Sequence, residues 1–467
     1  MSQSSQLQQE LPQASFSIPA LKRIPYAGAG KPSIVKFCIF VLLSMALLNL
    51  SSFVIDELFI SQAPNDQQHT TVRATIRFLQ GKQLYDSLGP MIPAIHLLEH
   101  DRHAPVYQSI FFEKHTKFQY PLTSLIPYYL WQEAGVYDGT LAFVSKVCIC
   151  VSAWLTVLLT VLMSLQFMPK AKFSTRERTM AAVTVAIGGL LFYPLITGAI
   201  FGQIQTILSL GFTVAFCCWL AGYEVPAGLV LGMMVCVKPQ YALFFVWALL
   251  RKKFKVAAAG LGFALTGFLV SCWFFGLHNN LDYLRVLRFV SAGESYYPNQ
   301  SMNGLLNRLL FNGNNLVWEP AKFAPYNSVV YYGTVLTSLA LLGLALFFPW
   351  GKERRGKAAD FVCIILVSTM ASPIAWQHHY GFMLPVLVWL WFTDYAGRAS
   401  RRDKWMFAIA YLLISNWLPP LAAVASIPVL NILQSYLYLG AVLMLILLLK
   451  SSAGTSRTGF GETVSAR

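Results

Sequence analysis

The run VPAGLVLGMMVCVKPQYALFFVWALL, residues 225–250, decides the fold, because it is apolar throughout except at Lys238-Pro239. A bilayer crossing takes about 20 apolar residues, so the run is long enough to span once. Proline lacks the amide donor and clashes with the preceding turn, so a helix stops there and two half-helices follow. If the halves continue in one direction the segment crosses; if they fold back it is a hairpin with Lys238 near its tip. Charge elsewhere in the chain selects between the two.

Basic residues collect in short loops between apolar runs. Lys170, Lys172, Arg176 and Arg178 form one cluster, and Arg251, Lys252, Lys253 and Lys255 a second. Lys352, Arg354, Arg355 and Lys357 form a third, and Arg398, Arg401, Arg402 and Lys404 a fourth. Cytoplasmic loops carry the excess of Lys and Arg, so all four belong on one side, together with Lys22, Arg23, Lys31 and Lys36. Apolar spans read at roughly 33–55, 140–168, 179–198, 204–222, 254–275, 326–349, 359–377, 380–396, 404–422 and 428–450. Parity holds only if 225–250 enters and returns, and if Tyr120–Trp131, too short to span, lies at the interface or re-enters. All eight histidines then fall on the opposite, outer side. The count is ten spans plus one re-entrant pair, or twelve if the half-helices cross.

Composition agrees. Hydrophobic residues make up 56% of the 467 and charged residues 12%, against about 25% charged in soluble chains, and mean hydropathy is +0.54. This is an all-α polytopic membrane protein. The net charge of +15 is explained by loop topology and calls for no nucleic acid. The eight cysteines all lie in apolar runs, and Cys148-Ile-Cys150 has the wrong spacing for a redox pair, so neither disulfides nor a zinc site is expected. Residues 1–32, rich in Gln, Ser and Pro, read as a disordered cytoplasmic tail. Residues 33–450 form the membrane domain, and 451–467 a second cytoplasmic tail. No internal repeat is evident.

The outer side carries a large first loop, about 56–119, a second at about 276–325, and the short turn Ala371–Tyr380. These hold the candidate chemistry: Asp56 and Asp66; His378 and His379; and the cations Lys117, Lys238 and Arg308. Gln203, Asn299 and Tyr120 stand at or near span ends. A carboxylate beside cations at a bilayer surface suits group transfer from a lipid phosphate. The carboxylate takes a proton from an incoming hydroxyl, and cations and imidazoles neutralise the departing phosphate. Each residue also has a plainer role open to it. Asp56 and Asp66 are equally what a solvated loop would carry, the histidines suit an interface, and Arg308 suits the anchor of a surface helix. Lys238 is costly at membrane depth, which favours function. No phosphate-cradling glycine loop, nucleophile elbow or metal box is present, and no cofactor is expected.

Taken in order, these segments resemble glycosyltransferase family 87, the polyprenol-phosphate-sugar-dependent membrane transferases. The matching stretches are Asp66 with Gly81-Lys-Gln-Leu-Tyr85, Phe118-Gln-Tyr-Pro121, Gly202-Gln203, Gly228-Leu-Val-Leu-Gly232 with Lys238-Pro239, and Asn299-Gln-Ser-Met-Asn-Gly-Leu-Leu-Asn-Arg308. The most specific is Ser372-Pro-Ile-Ala-Trp-Gln-His-His379. The resemblance implies a GT-C-type fold in a bacterial inner (plasma) membrane, with both termini cytoplasmic. It implies inverting transfer of a hexose, mannose first, from a polyprenyl-phosphate donor to a glycolipid or glycan hydroxyl on the periplasmic or extracellular face. Asp66 would be the base, with Asp56 the alternative. His378, His379, Arg308, Lys117 or Lys238 would bind phosphate, and Gln203 and Asn299 would orient sugar or acceptor. A lipid-linked glycan ligase or polymerase, or a lipid or sugar transporter, are the competing readings.

Overall fold

The structure is a computed structural model, and it describes residues 34–55, 70–318, 323–395, 399–418 and 430–453. Asp56 and Asp66 lie outside the described residues, as do the 1–32 tail and residues 454–467.

Among the described residues the backbone is helical apart from turns and one isolated antiparallel bridge. The chain begins with α1 (Ile34–Ile55) and α2 (Thr71–Leu79). The second buries Ala74 and Phe78, and the Thr70 side chain caps its first turn. Next come α3 (Leu88–His100), a π-helical turn at Tyr107–Glu113, and α4 (Ile126–Glu133). At eight residues α4 is far too short to cross, as expected for this segment. After α5 (Asp138–Gln166), α6 (Thr175–Leu190) and α7 (Tyr193–Ile200) meet at a 48° bend.

α8 (Gln205–Ala221) ends at Gly222, and α9 (Glu224–Val237) runs up to Lys238. A 3₁₀ turn at Pro239–Ala242 follows and α10 (Leu243–Leu250) returns. Lys253 beyond α10 donates to Glu224 at the start of α9 at 2.6 Å, so both ends of the hairpin sit together and Lys238 is at its tip. α11 (Phe254–Phe275) packs directly on α9. A Cβ on Gly228 would lie 2.5 Å from the Val256 carbonyl oxygen, and one on Gly232 would lie 2.6 Å from that of Gly260. Small residues let the two backbones touch, and this contact sets the height of Lys238. α12 (Leu277–Val290) and α13 (Met302–Leu309) follow in the second outer segment. α14 (Ser328–Phe347), α15 (Arg354–Met370), α16 (Met383–Leu390), α17 (Arg401–Ser415) and α18 (Tyr436–Ala453) complete the bundle.

The basic clusters gather at one end. Arg178 donates to Leu165 O, and Phe167 stacks on Phe392. Arg251 pairs with Asp360, Arg354 caps the Leu220 carbonyl, Arg355 pairs with Asp394, and Lys450 with Asp403. His378 and His379 lie at the other end, beside Lys238.

Among the described residues four helices are long and apolar enough to cross a membrane, at Asp138–Gln166, Phe254–Phe275, Ser328–Phe347 and Leu430–Ser451; the bent α6–α7 pair makes a fifth. That is fewer than the ten to twelve crossings expected from the sequence; the other apolar helices are shorter. α15 is covered on nearly every side from Ala358 to Met370, as befits the centre of a bundle. Phe361 on α15 anchors an aromatic core, with ring centroids 5.2 Å from Trp219, 5.0 Å from Phe244 and 5.6 Å from Trp247. Away from the basic clusters a second core forms from α3, the π turn, α4 and α12, including Met91, Ile95, Tyr107, Phe118, Tyr129 and Tyr283.

Gly232→Val should force α9 from α11 and cost about 1–3 kcal/mol, the usual penalty of overpacking. Gly262→Ala, whose Cβ meets nothing within 4 Å, should be neutral or slightly stabilising. Thermal unfolding midpoints of the two variants in the same detergent check this pair.

Candidate active site

Two sequence motifs distant along the chain are latched into one unit. Asn299 bridges Trp376, Gln300 N donates to Ala375 O at 2.7 Å, and Gln377 N donates to Pro298 O at 3.1 Å. The Asn299 side chain accepts from Ala375 N at 2.9 Å and donates to Pro373 O and Glu294 O at 3.0 and 2.8 Å. With every polar atom of its amide engaged, Asn299 holds the turn and is not open to a sugar. Tyr380 closes the far side through its hydroxyl, donated to Gln300 O at 2.7 Å. α7 approaches closely because Gly198 has no side chain, since a Cβ there would lie 3.2 Å from the Cβ of His378.

The latch delivers His378 and His379 on a single 3₁₀ turn, Gln377–Tyr380, to the tip of the hairpin. Lys238 Nζ stands 3.3 Å from both ring nitrogens of His379 and donates to Gln205 Oε1 at 3.2 Å. Gln205 is oriented by its own bond to the Tyr241 hydroxyl, 3.1 Å. The two imidazoles meet edge-on, 4.8 Å between centroids. Burial, and after it the Lys238 ammonium, hold both imidazoles well below the usual histidine range. They are therefore neutral. Among the described residues no carboxylate pairs with Lys238, and burial pulls its ammonium down to about 7, so the cluster offers a cation that an arriving anion would favour, with two neutral hydrogen-bonding rings beside it.

A second group faces the same space. Segment 84–87 runs along the end of α7, with Leu84 N to Ile200 O at 2.7 Å and Asp86 N to Phe201 O at 3.0 Å. The approach requires Gly202, whose φ is +69° and whose Cβ would meet Leu84 O at 2.1 Å. Gln203 then donates to the Asp86 carboxylate and accepts from Ser87 Oγ at 3.0 Å, and Ser87 shares a 2.8 Å bond with the Tyr120 hydroxyl. Burial raises the Asp86 carboxyl, and the Gln203 bond and the nearby Lys117 partly offset it. Lys117 is also close enough to His379 to disfavour its protonation. Asp86, Gln203, Lys117 and His379 thus share one electrostatic neighbourhood.

Lys117 itself is engaged. It pairs with Glu294, whose other oxygen takes the indole N–H of Trp376 at 2.8 Å, and it lies within 5.2–5.6 Å of the ring centres of Trp318, Phe323 and Trp376. Arg308 is fully buried and donates to the carbonyls of Asn299, Tyr296 and Ser295 and to Ser435 Oγ. It pins the latch from behind and does not contact Lys238 or the histidines.

Of the residues singled out from the sequence, His378, His379 and Lys238 come together, with Gln203, Tyr120 and Lys117 next to them. Arg308 and Asn299 form the supporting frame. Three participants were missed as candidates. Gln205 and Glu294 give no local signal, being one polar residue in an apolar helix and one acid in a loop. Asp86 closes the Gly81–Asp86 turn and could have been found there.

The model of glycosyltransferase family 87 matches residues 118–373, more than half of the chain. A polyprenol-phosphate-mannose-dependent alpha-(1-2)-phosphatidylinositol mannoside mannosyltransferase of Mycolicibacterium smegmatis is 28% identical over 261 residues, 52% of this chain and 54% of the relative. Its counterpart in Mycobacterium tuberculosis is 24% identical over 255 residues, with the same coverage. A phosphatidylinositol pentamannoside mannosyltransferase of M. smegmatis is 26% identical over 253 residues, 52% of this chain and 56% of the relative. The chain spans about half the length of the curated relatives it matches. No solved structure matches it. On the extent of the family match, which spans the Gly202-Gln203 turn, the hairpin and the Asn299–Arg308 segment of the latch, the chain belongs to glycosyltransferase family 87.

Proposed function

We propose that this protein transfers a hexose, mannose by analogy with the matched relatives, from a polyprenyl phosphate to a hydroxyl of a glycolipid acceptor, with inversion. The reaction takes place at the end of the bundle opposite the basic clusters, which by the positive-inside rule is the outer face. The observation that carries the reading is the Lys238 ammonium, unpaired with any described carboxylate and set against two neutral imidazoles.

The acceptor oxygen attacks the anomeric carbon as the bond from that carbon to the phosphate oxygen breaks. The acceptor proton goes to a carboxylate, Asp66 or alternatively Asp56, and the polyprenyl phosphate leaves with one more negative charge than it carried as a diester. Lys238 meets that charge, and the imidazole N–H groups of His378 and His379 donate to the phosphate oxygens. Placed where charge develops, such groups act in a water-poor site at little reorganisation cost. Gln203 and Asp86, an amide beside a carboxylate, suit the hydroxyls of the sugar or acceptor.

Two experiments test this in purified full-length chain reconstituted in lipid, with radiolabelled polyprenyl-phosphate-mannose and a mixed glycolipid extract. Asp66→Asn should abolish transfer while Asp56→Asn keeps it; loss confined to Asp56→Asn moves the base to that residue. No consumption of any polyprenyl-phosphate sugar with any acceptor would overturn the transferase reading in favour of transport. Separately, Lys238→Met should lower kcat by about 10²–10³, the range for removing one charge-stabilising donor, with a much smaller change in acceptor KM. A Lys238→Met enzyme turning over at the wild-type rate would remove the ammonium from the mechanism.

A further inference from the structure

Beyond the Lys117–Trp376 wall lies a groove that the reaction as described does not use. It has a volume of about 710 Å³ and is lined by Phe112, Arg285, Arg288, Phe289, Phe323 and Ala324. Through Phe112, Phe289 and Phe323 it adjoins a smaller pocket of about 140 Å³, which reaches His115 and Lys117. The groove is therefore continuous, through shared side chains, with the edge of the active site.

Its walls are built. Asn279 of α12 donates to Ala104 O at 2.6 Å and accepts from Val106 N at 3.2 Å, tying α12 to the π turn. π-helical turns are rare and occur mostly at functional sites; this one presents Phe112 to the groove and Phe111 to the smaller pocket beside it. His115 adopts φ +53°, an uncommon backbone for a residue with a side chain. Phe289 packs edge-on against Phe111, Phe112 and Phe323, with centroids at 5.6, 5.8 and 5.1 Å.

The outer side of α12 says what kind of molecule enters. Asn279, Tyr283 and Val286 form its buried stripe. On the opposite stripe Leu277, Leu281 and Leu284 are 50–61% exposed, and Arg288 continues the same line one turn on. On the preceding helix α11, Leu265, Leu269 and Trp273 are likewise exposed. An apolar stripe ending in an arginine at the outer end of the bundle fits a helix lying in the membrane interface, with the guanidinium at headgroup level. Arg285 is already bonded to Asp282 at 3.0 Å and to Gln108 at 3.3 Å, and sits over the Phe112 ring. Arg288 has no acidic partner among the described residues. The net unspent charge in the groove is positive.

We propose that this groove seats the headgroup of an anionic glycerophospholipid, with Arg288, flanked by Arg285, on the phosphodiester and the phenylalanine wall against the glycerol and upper acyl chains. The polyprenyl donor has one phosphate, placed above at Lys238, so a second cationic position open to lipid belongs to a second lipid, the acceptor. That last assignment rests on the proposed transferase function; binding of the lipid itself does not.

The test is binding, not turnover, on full-length protein in detergent micelles, using fluorescently tailed phosphatidylglycerol, phosphatidylcholine with the same tail, and undecaprenyl phosphate. Wild type should bind phosphatidylglycerol at least about fivefold more tightly than phosphatidylcholine. That ratio corresponds to about 1 kcal/mol, the worth of one basic residue at a lipid surface. Arg285→Gln with Arg288→Gln should erase the preference and leave undecaprenyl phosphate affinity unchanged. Arg285→Lys with Arg288→Lys, which keeps the charge, should retain the preference and controls for folding. Lys238→Gln should do the reverse of the double glutamine variant. An unchanged preference in the double glutamine variant overturns the proposal, and loss of undecaprenyl phosphate binding in its place gives the groove to the donor.

Discussion

A lysine held inside an apolar bundle with no carboxylate partner among the described residues is the constraint on which this structure depends. Desolvating such a charge costs on the order of several kcal/mol, and the fold repays little of it locally: one amide oxygen and one imidazole ring. The rest of the molecule must hold Lys238 where it is. The hairpin does so by pinning its ends with the Lys253–Glu224 pair and by fitting glycines of α9 directly against the α11 backbone. Rigidity at the base is what makes an expensive charge at the tip sustainable.

The histidine turn is placed by a different device, a backbone latch between residues 298–300 and 375–377 stabilised by Asn299 from the front and Arg308 from behind. This division explains why the same stretch of motif holds residues of two kinds. His378 and His379 point into the site. Asn299 and Arg308 spend their hydrogen bonds on carbonyls, amides and a serine hydroxyl, and act through the turn they hold. From the sequence alone all four read as polar residues in outer segments, and nothing in their spacing separates those that face a substrate from those that face the backbone.

Much of the architecture was nevertheless legible. The basic clusters demanded that 225–250 fold back, and it does, because parity is a property of the whole chain that one segment cannot evade. Elements fixed by distant packing were not legible. α15 is enclosed by protein from Ala358 to Met370, and a hydropathy window cannot tell that environment from lipid. Gln205, Asp86 and Glu294 are likewise defined by partners 33 to more than 100 positions away, so only the folded chain reveals them. The loop aspartates, Asp56 and Asp66, stand outside the described residues, and the assignment of the base rests on the motif order.

The neutrality of the two imidazoles is itself a consequence with chemical content. Burial and the adjacent Lys238 both disfavour the imidazolium, and burial pulls the Lys238 ammonium down to about 7, so in the absence of substrate the imidazoles are neutral and the lysine is only partly charged. In the proposed reaction a lipid phosphodiester brings one negative charge and cancels that ammonium, which lifts the like-charge penalty on His379. As the glycosidic bond breaks, the leaving phosphate gains a second charge, and each increment makes a proton on the imidazole side more favourable. Proton affinity in the site therefore rises in step with the charge on the leaving group, with no acid that is already charged at rest. A carboxylate partner for Lys238 would cancel the ammonium permanently and remove this response, which is a physical reason for the described structure to leave it without one.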